Sequence, residues 1–214
     1  MSPLKMKKNL LFVSILVIIL IGTLVYKNLI KKVPMPEKVL ENKKVVLIVA
    51  FRDFQGAEYL PVREALEKQG AQITVASNSL GTAIGMGGNE VKVDVLLEDV
   101  KPEEFDAVVF IGGSGVPSHL DNEKSYQIAK ETIEKGKVLG AICISPTILA
   151  KAGILQGKRA TVWSSPLDKS PVKILEENGA IFEDKNVVVD GKIITGNGPG
   201  AAQEFGEKIV ELLR

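Results

Sequence analysis

Short apolar runs alternate with segments of helical spacing along most of this 214-residue chain. The runs Val45–Ala50 and Ala107–Ile111 are continuous and rich in β-branched residues, as expected for strands buried on both faces. Further strands are predicted at residues 72–76, 91–95, 138–142, 160–162, 187–189 and 193–194, and helices at 57–69, 122–135, 145–152 and 201–213. This alternation predicts an α/β domain with a mainly parallel sheet covered by helices on both faces.

Charge divides the chain into two different parts. The first 44 residues carry a net charge of +7 and the remainder carries −6, although the whole chain sums to +1. Seventeen consecutive residues, Leu10–Tyr26, contain no charge. At about 1.5 Å per residue, this run and its neighbours span roughly the hydrocarbon core of a bilayer. No cleavage site of small residues follows the run, so we expect an uncleaved transmembrane anchor rather than a signal peptide.

These features predict a single-pass membrane protein in four parts. A basic head covers residues 1–8, the membrane anchor 9–30, a polar tether 31–44, and the α/β domain 45–214. Lysines flank the apolar run on both sides in nearly equal number, so they leave the orientation open. The short basic head is typical of a signal-anchor that exports the following domain, and this favours a domain outside the cytoplasm.

Composition excludes several classes of function. One cysteine and one histidine cannot build a disulfide framework or a zinc site of Cys and His ligands within one chain. The domain is acidic and has no basic stripe with interleaved aromatic residues, so it does not resemble a nucleic-acid-binding domain. We therefore predict no metal, no cofactor and no nucleic-acid partner.

The lone cysteine, Cys143, lies directly after the predicted strand 138–142, and Pro146 then stands in the first turn of a helix. This arrangement is typical of a nucleophile elbow, in which a sharp turn exposes the reactive atom above the sheet. The helix N-terminus favours a thiolate, and free backbone N–H groups can bind an oxyanion. The alternative is that Cys143 is simply a small buried hydrophobic residue.

Two further loops follow predicted strands. The loop Ile111–Pro117 contains glycines that allow close approach of the backbone, although a simple tight turn explains it equally well. Glu58 begins a helix, where a carboxylate favourably meets the helix dipole, and by itself this indicates only a capping role. His119 follows Pro117 and Ser118, which favours a solvent-side residue over a catalytic base.

Taken together, these loops resemble the DJ-1/PfpI superfamily. The similarity covers about residues 44–213 and is carried, in order, by Val45–Ala50, Gly56-Ala57-Glu58, Val91–Asp94, Glu104–Gly113 and Ala141–Cys143. The superfamily belongs to the class I glutamine-amidotransferase-like domains, so the resemblance implies a flavodoxin-like three-layer sandwich, here preceded by one transmembrane helix. Its members commonly form dimers or larger assemblies, which leaves a homo-oligomer open for this chain.

The resemblance also implies roles for individual residues. Cys143 would be the reactive cysteine, with the Glu58 carboxyl beside it to tune the thiol and to stabilise its oxidised sulfinate form. The backbone N–H groups of Gly113 and Ile144 would be the oxyanion donors.

The sequence departs from the family's peptidase-like members at informative positions. Ile144 stands where they have a histidine, and Ser114–Ser118 lack the glutamate of their corresponding loop. The segment 161–166 also lacks the histidine that relatives of human DJ-1 supply there. We therefore expect glyoxalase or deglycase-type chemistry on a small carbonyl electrophile, with redox sensing as the alternative. Peptide hydrolysis is disfavoured, because no imidazole is available to protonate the leaving amine.

Overall fold

In the computed structural model, residues 16–26 and 38–214 are described. Residues 16–26 form a helix with exposed side chains. Within the described residues, no helix combines the length and the apolar character needed to cross a membrane. The rest of the predicted anchor 9–30, the head 1–8 and the first half of the tether, residues 31–37, lie outside the described residues.

The compact domain begins at Lys38, earlier than the expected boundary at residue 45. Leu40 is completely buried, and its N–H donates to the carbonyl of Gln69 at 2.8 Å. The N–H of Gln72 donates to the carbonyl of Lys43 at the same distance. Residues 38–43 therefore belong to the domain rather than to a tether, because one apolar side chain among the polar residues packs into the core.

The elements of the domain have the following bounds. The strands are β1 (Lys44–Ile48), β2 (Arg52–Gln55), β3 (Gln72–Ser77), β4 (Gly81–Met86), β5 (Glu90–Val93), β6 (Val95–Leu96), β7 (Ala107–Phe110), β8 (Val138–Ile142), β9 (Arg159–Ala160), β10 (Ile181–Phe182), β11 (Val187–Asp190) and β12 (Ile193–Gly196). The helices are α1 (Gly56–Lys68), α2 (Val116–His119), α3 (Glu123–Glu134), α4 (Pro146–Lys151), α5 (Ser170–Glu177) and α6 (Ala202–Leu213).

The main sheet has seven strands in the order β11-β12-β8-β7-β1-β3-β6. Every neighbouring pair is parallel except β11 with β12, which confirms the predicted mainly parallel sheet. Alternate residues of β1 enter two separate cores. Val46 and Ile48 pack with α3, α4 and α5, whereas Val45 and Leu47 pack with α1 and α6. The domain is therefore the expected three-layer α/β sandwich.

Two small sheets depart from the expectation. The predicted strand 91–95 corresponds mainly to β5, which pairs with β4 in a separate three-stranded sheet that also contains β2. The predicted strand 160–162 is reduced to β9, which pairs with β10 in a second small sheet. The segments β2, β4 and α5 were not predicted. Neither β2 nor β4 has a continuous apolar run, so their pairing depends on tertiary contacts that periodicity does not report. The small sheet matters for function because β2 leads directly into α1 at the carboxyl edge of the main sheet.

Candidate active site

Cys143 occupies the turn between β8 and α4, as its position in the sequence predicts. Its φ of 62° lies in the left-handed region, which non-glycine residues rarely adopt. Both backbone groups are held: the N–H donates to Gly196 at 2.9 Å, and the carbonyl accepts from the Trp163 N–H at 2.8 Å. The strained turn is thus fixed from two neighbouring segments, and the thiol remains partly exposed.

Glu58 lies in the first turn of α1 and is completely buried. Its Oε2 accepts a hydrogen bond from the backbone N–H of Gly112 at 3.0 Å, and its carboxyl group lies beside the Cys143 thiol. Among the described residues, the second carboxyl oxygen, Oε1, is buried without a hydrogen-bond partner. The fold therefore brings Glu58 and Cys143, which are far apart in the chain, into direct contact.

Glycines make this contact possible. A Cβ on Gly112 would lie 2.4 Å from the Cβ of Cys143 and 2.6 Å from Oε2 of Glu58. Gly113 has a φ of 127°, and its Cβ would lie 2.3 Å from the carbonyl oxygen of Asp53. A side chain at Gly112 would intrude between the carboxyl group and the thiol, and one at Gly113 would clash with the backbone of residues 53–55.

The acid and the thiol influence each other's protonation. Burial raises the pKa of Glu58 from 4.5 to about 7, although hydrogen bonds from Cys143 and Gly112 oppose the shift. Burial and the neighbouring Glu58 carboxylate raise the pKa of the Cys143 thiol to about 12, and hydrogen bonds from the backbone N–H groups of Ile144 and Gly113 oppose that shift. At neutral pH the resting cysteine is a thiol, and the neighbouring Glu58 is about half ionised, so its carboxylate form can accept the thiol proton.

The backbone N–H groups of Gly113 and Ile144, the expected oxyanion donors, lie close to the sulfur. Cys143 opens into a pocket of about 290 Å³. The pocket is lined by Gln55, Met86, Gly113, Ser114, Pro117, Cys143, Ile144, Trp163 and Pro199. Gln55, Met86, Trp163 and Pro199 were not among the predicted site residues. The signal available for Trp163 was its position immediately after the predicted strand 160–162, whereas Gln55 ends β2, a strand that the sequence did not predict.

His119 is not one of the residues that line this pocket. It lies at the end of α2, where its Nδ1 is 3.4 Å from Nδ2 of Asn78. The described lining of the pocket therefore contains no imidazole, and the position after the nucleophile is occupied by the apolar Ile144.

Comparison with known proteins agrees with this architecture. The sequence model of the DJ-1/PfpI family matches residues 43–212. The chain belongs to the DJ-1/PfpI family. The solved structure of a ThiJ/PfpI domain protein from Brachyspira murdochii superposes on this DJ-1/PfpI domain with a TM-score of 0.75 and 30% identity, covering 79% of this chain and 95% of that one.

Three relatives of this DJ-1/PfpI protein are informative. An uncharacterized protein of Methanocaldococcus jannaschii is 38% identical over 81% of this chain and 84% of its own length. Deglycase PfpI of Pyrococcus furiosus is 31% identical over 79% of this chain and 99% of its own. Glutathione-independent glyoxalase DJR-1.2 of Caenorhabditis elegans is 32% identical over 80% of this chain and 89% of its own.

The raised pKa of Glu58 makes the stability of the DJ-1/PfpI domain depend on pH. Between pH 4.5 and about 7 the folded state holds a proton on Glu58 that the unfolded chain has lost, so stability falls as pH rises through this window. The shift corresponds to about 3 kcal/mol. We expect the free energy of unfolding in urea, followed by Trp163 fluorescence, to fall by about 2–3 kcal/mol more between pH 5 and pH 8 in the wild type than in Glu58→Gln. If the free energy of unfolding changed with pH in the same way in the wild type and in Glu58→Gln, the raised pKa of Glu58 would be contradicted.

Proposed function

We propose that this protein is a glyoxalase-type enzyme that converts small α-oxoaldehydes and water into 2-hydroxy acids through Cys143. The observation that carries the proposal is the buried Glu58 carboxyl beside a thiol that opens into a pocket. The names of the Pyrococcus and Caenorhabditis relatives, a deglycase and a glyoxalase, support the same class of chemistry.

The reaction needs one nucleophile and one proton carrier. Sγ of Cys143 forms a bond to the aldehyde carbon while Glu58 takes the thiol proton and passes it to the carbonyl oxygen, giving a hemithioacetal. Glu58 then removes the proton from this carbon, and a proton returns to the neighbouring carbonyl carbon through an enediol, giving a thioester of the 2-hydroxy acid. Water attacks the thioester, the C–S bond breaks, and Sγ regains a proton.

The N–H groups of Gly113 and Ile144 support the same sequence of steps. They lie at the sulfur, where an oxygen of the bound carbon would gain negative charge as the bond to Sγ forms. A single carboxyl on one side of the substrate is sufficient for transfer of a proton between adjacent carbons. Peptide hydrolysis differs, because an amine leaving group must be protonated and the pocket lining has no imidazole to do so.

Product analysis tests this proposal. Methylglyoxal incubated with the full chain is expected to yield lactate in equal amount, measured by NMR. The matched control is the same protein after alkylation of its single cysteine. Lactate formation at equal rates in both samples, or none in either, would reject the enzyme proposal.

The same geometry favours a second candidate function, redox sensing. Two equivalents of peroxide would convert the Cys143 thiol to a sulfinic acid and release two waters. Protonated Glu58 and the N–H groups of Gly113 and Ile144 are placed to donate hydrogen bonds to the sulfinate oxygens. Mass spectrometry after mild peroxide treatment is expected to show a gain of about 32 Da on the Cys143 peptide. An unmodified peptide would argue against sensing.

Membrane attachment through residues 9–30, with the domain outside the cytoplasm, is also proposed. It rests on the uncharged run Leu10–Tyr26. In cells, we expect the full chain to stay in the membrane pellet during alkaline carbonate extraction and to be released by detergent. The double variant Leu20→Lys with Ile21→Lys should appear in the carbonate supernatant, because charge near the centre of the apolar run opposes insertion. Release of the wild type by carbonate would reject attachment by this segment, and protease accessibility in sealed cells reports the side of the domain.

A further inference from the structure

Large apolar side chains form the walls of the Cys143 pocket. Met86 comes from β4 and Trp163 from the segment after β9, and Ile144 lies beside the nucleophile. Met86 is 40% and Trp163 36% exposed, so both side chains present apolar surface to solvent. Both residues line the pocket, so a ligand with apolar groups would contact them there.

The polar groups in the same pocket are few and neutral. No charged side chain is among the described residues that line it. The Gln55 side chain accepts from the Ala57 N–H at 3.2 Å, and its Nε2 makes only a weak contact with the Met86 sulfur at 4.0 Å. The amide N–H groups of Gln55 therefore remain available to a carbonyl oxygen. A carboxylate bound here would lose water without gaining an opposite charge, which is unfavourable.

The size of the pocket also exceeds that of the smallest substrates. A volume of about 290 Å³ corresponds to roughly ten water molecules at about 30 Å³ each. Methylglyoxal has five heavy atoms and, even at about 30 Å³ for each, would fill no more than about half of this space. The remainder lies between apolar walls and suits a branched or aromatic substituent on the ketone carbon.

We propose that the Cys143 pocket selects neutral α-oxoaldehydes with a branched or aromatic apolar substituent, and that Trp163 and Met86 determine this specificity. The inference rests on the proposed glyoxalase function and names its substrate class. The aldehyde carbon meets Sγ, the ketone oxygen faces Gln55, and the substituent lies against Trp163 and Met86. The bonds made and broken are those of the glyoxalase reaction, with water as the co-substrate.

A kinetic comparison of isosteric substrates tests the proposal. Isopentylglyoxal and carboxyethylglyoxal have nearly the same shape but differ in charge. We expect kcat/KM of the full chain to be at least about tenfold higher for the neutral compound. Trp163→Ala should lower the ratio of kcat/KM for isopentylglyoxal to kcat/KM for methylglyoxal about tenfold. Met86→Ala should lower the same ratio less.

The matched control is Leu167→Ala in the same loop as Trp163. Leu167 is 99% exposed and does not line the pocket, so its truncation should leave the ratio unchanged. Equal kcat/KM for the charged and neutral isosteres would overturn the proposal. An unchanged ratio in folded Trp163→Ala would overturn the role of Trp163.

A binding measurement separates this inference from the proposed function. Trp163 is the single tryptophan of the chain, so its fluorescence reports occupancy of the pocket. In Cys143→Ala, the unreactive ketone methyl isopentyl ketone is expected to bind at least about tenfold more tightly than its charged isostere levulinate. If no α-oxoaldehyde is turned over but the ketones are discriminated, the glyoxalase function fails and the pocket selectivity stands. If α-oxoaldehydes are turned over but neither the kinetic nor the binding measurement distinguishes the neutral from the charged compound, the glyoxalase function stands and only the selectivity fails.

Discussion

Replacing Cys143 with alanine is expected to lower kcat/KM for methylglyoxal by at least about 10³-fold. The sulfur stands at the junction of the site: the Glu58 carboxyl lies beside it, and the backbone N–H groups of Gly113 and Ile144 lie close to it. No second thiol exists in the chain to replace it. Lactate formation, measured by NMR at equal protein concentration, gives the ratio of the two rates.

The expected loss is chemical rather than structural. Alanine removes only one partly exposed sulfur atom, so the thermal unfolding midpoint of Cys143→Ala should stay within a few degrees of the wild type. Cys143→Ser offers a closer match in size, and we expect it to be similarly inactive because an alcohol beside a carboxylate is far harder to ionise than a thiol. Retention of more than about a tenth of the wild-type rate by folded Cys143→Ala would contradict covalent catalysis through this residue.

The sequence predicted the central part of the fold well for a physical reason. Strands β1, β7 and β8 are buried on both faces, so their side chains form continuous apolar runs that are visible without any partner. The strands β2 and β4 are different. Strand β2 has the sequence Arg-Asp-Phe-Gln, and β4 contains two glycines. The two strands pair with each other, and neither has a pattern of apolar residues that would predict a strand. Local periodicity cannot report such pairing.

The candidate site also has a part that the local sequence predicted and a part that it did not. The position of Cys143 between an apolar strand and a helix with an early proline was visible in the local sequence. Spacing alone gave Glu58 only a capping role, and its place beside the thiol was expected from family resemblance. The apolar wall of Met86 and Trp163 was missed, because both residues reach the pocket from segments whose structure depends on long-range contacts.

Replacing Glu58 with glutamine is expected to lower turnover of methylglyoxal by about 10²–10⁴-fold, the usual contribution of a general acid or base. Glutamine keeps the size of the side chain and can still accept the hydrogen bond from Gly112, but it carries no transferable proton. The variant should also lose the inflection near pH 7 in kcat/KM that the wild type is expected to show, since the pKa of Glu58 is about 7. A pH profile from pH 5 to pH 9 measures both effects, and an unchanged inflection would assign it to another group.

The same substitution should act in the opposite direction on simple alkylation of the thiol. The charge of the Glu58 carboxylate helps to raise the pKa of Cys143, so its removal should make the thiolate more abundant. At pH 9, where Glu58 is ionised in the wild type, we expect Glu58→Gln to react faster with iodoacetamide. If Glu58 had a purely structural role, Glu58→Gln would either slow both turnover and alkylation or leave both rates unchanged. Faster alkylation combined with slower turnover would show that Glu58 limits the thiolate at rest and is nevertheless required to carry its proton during the reaction.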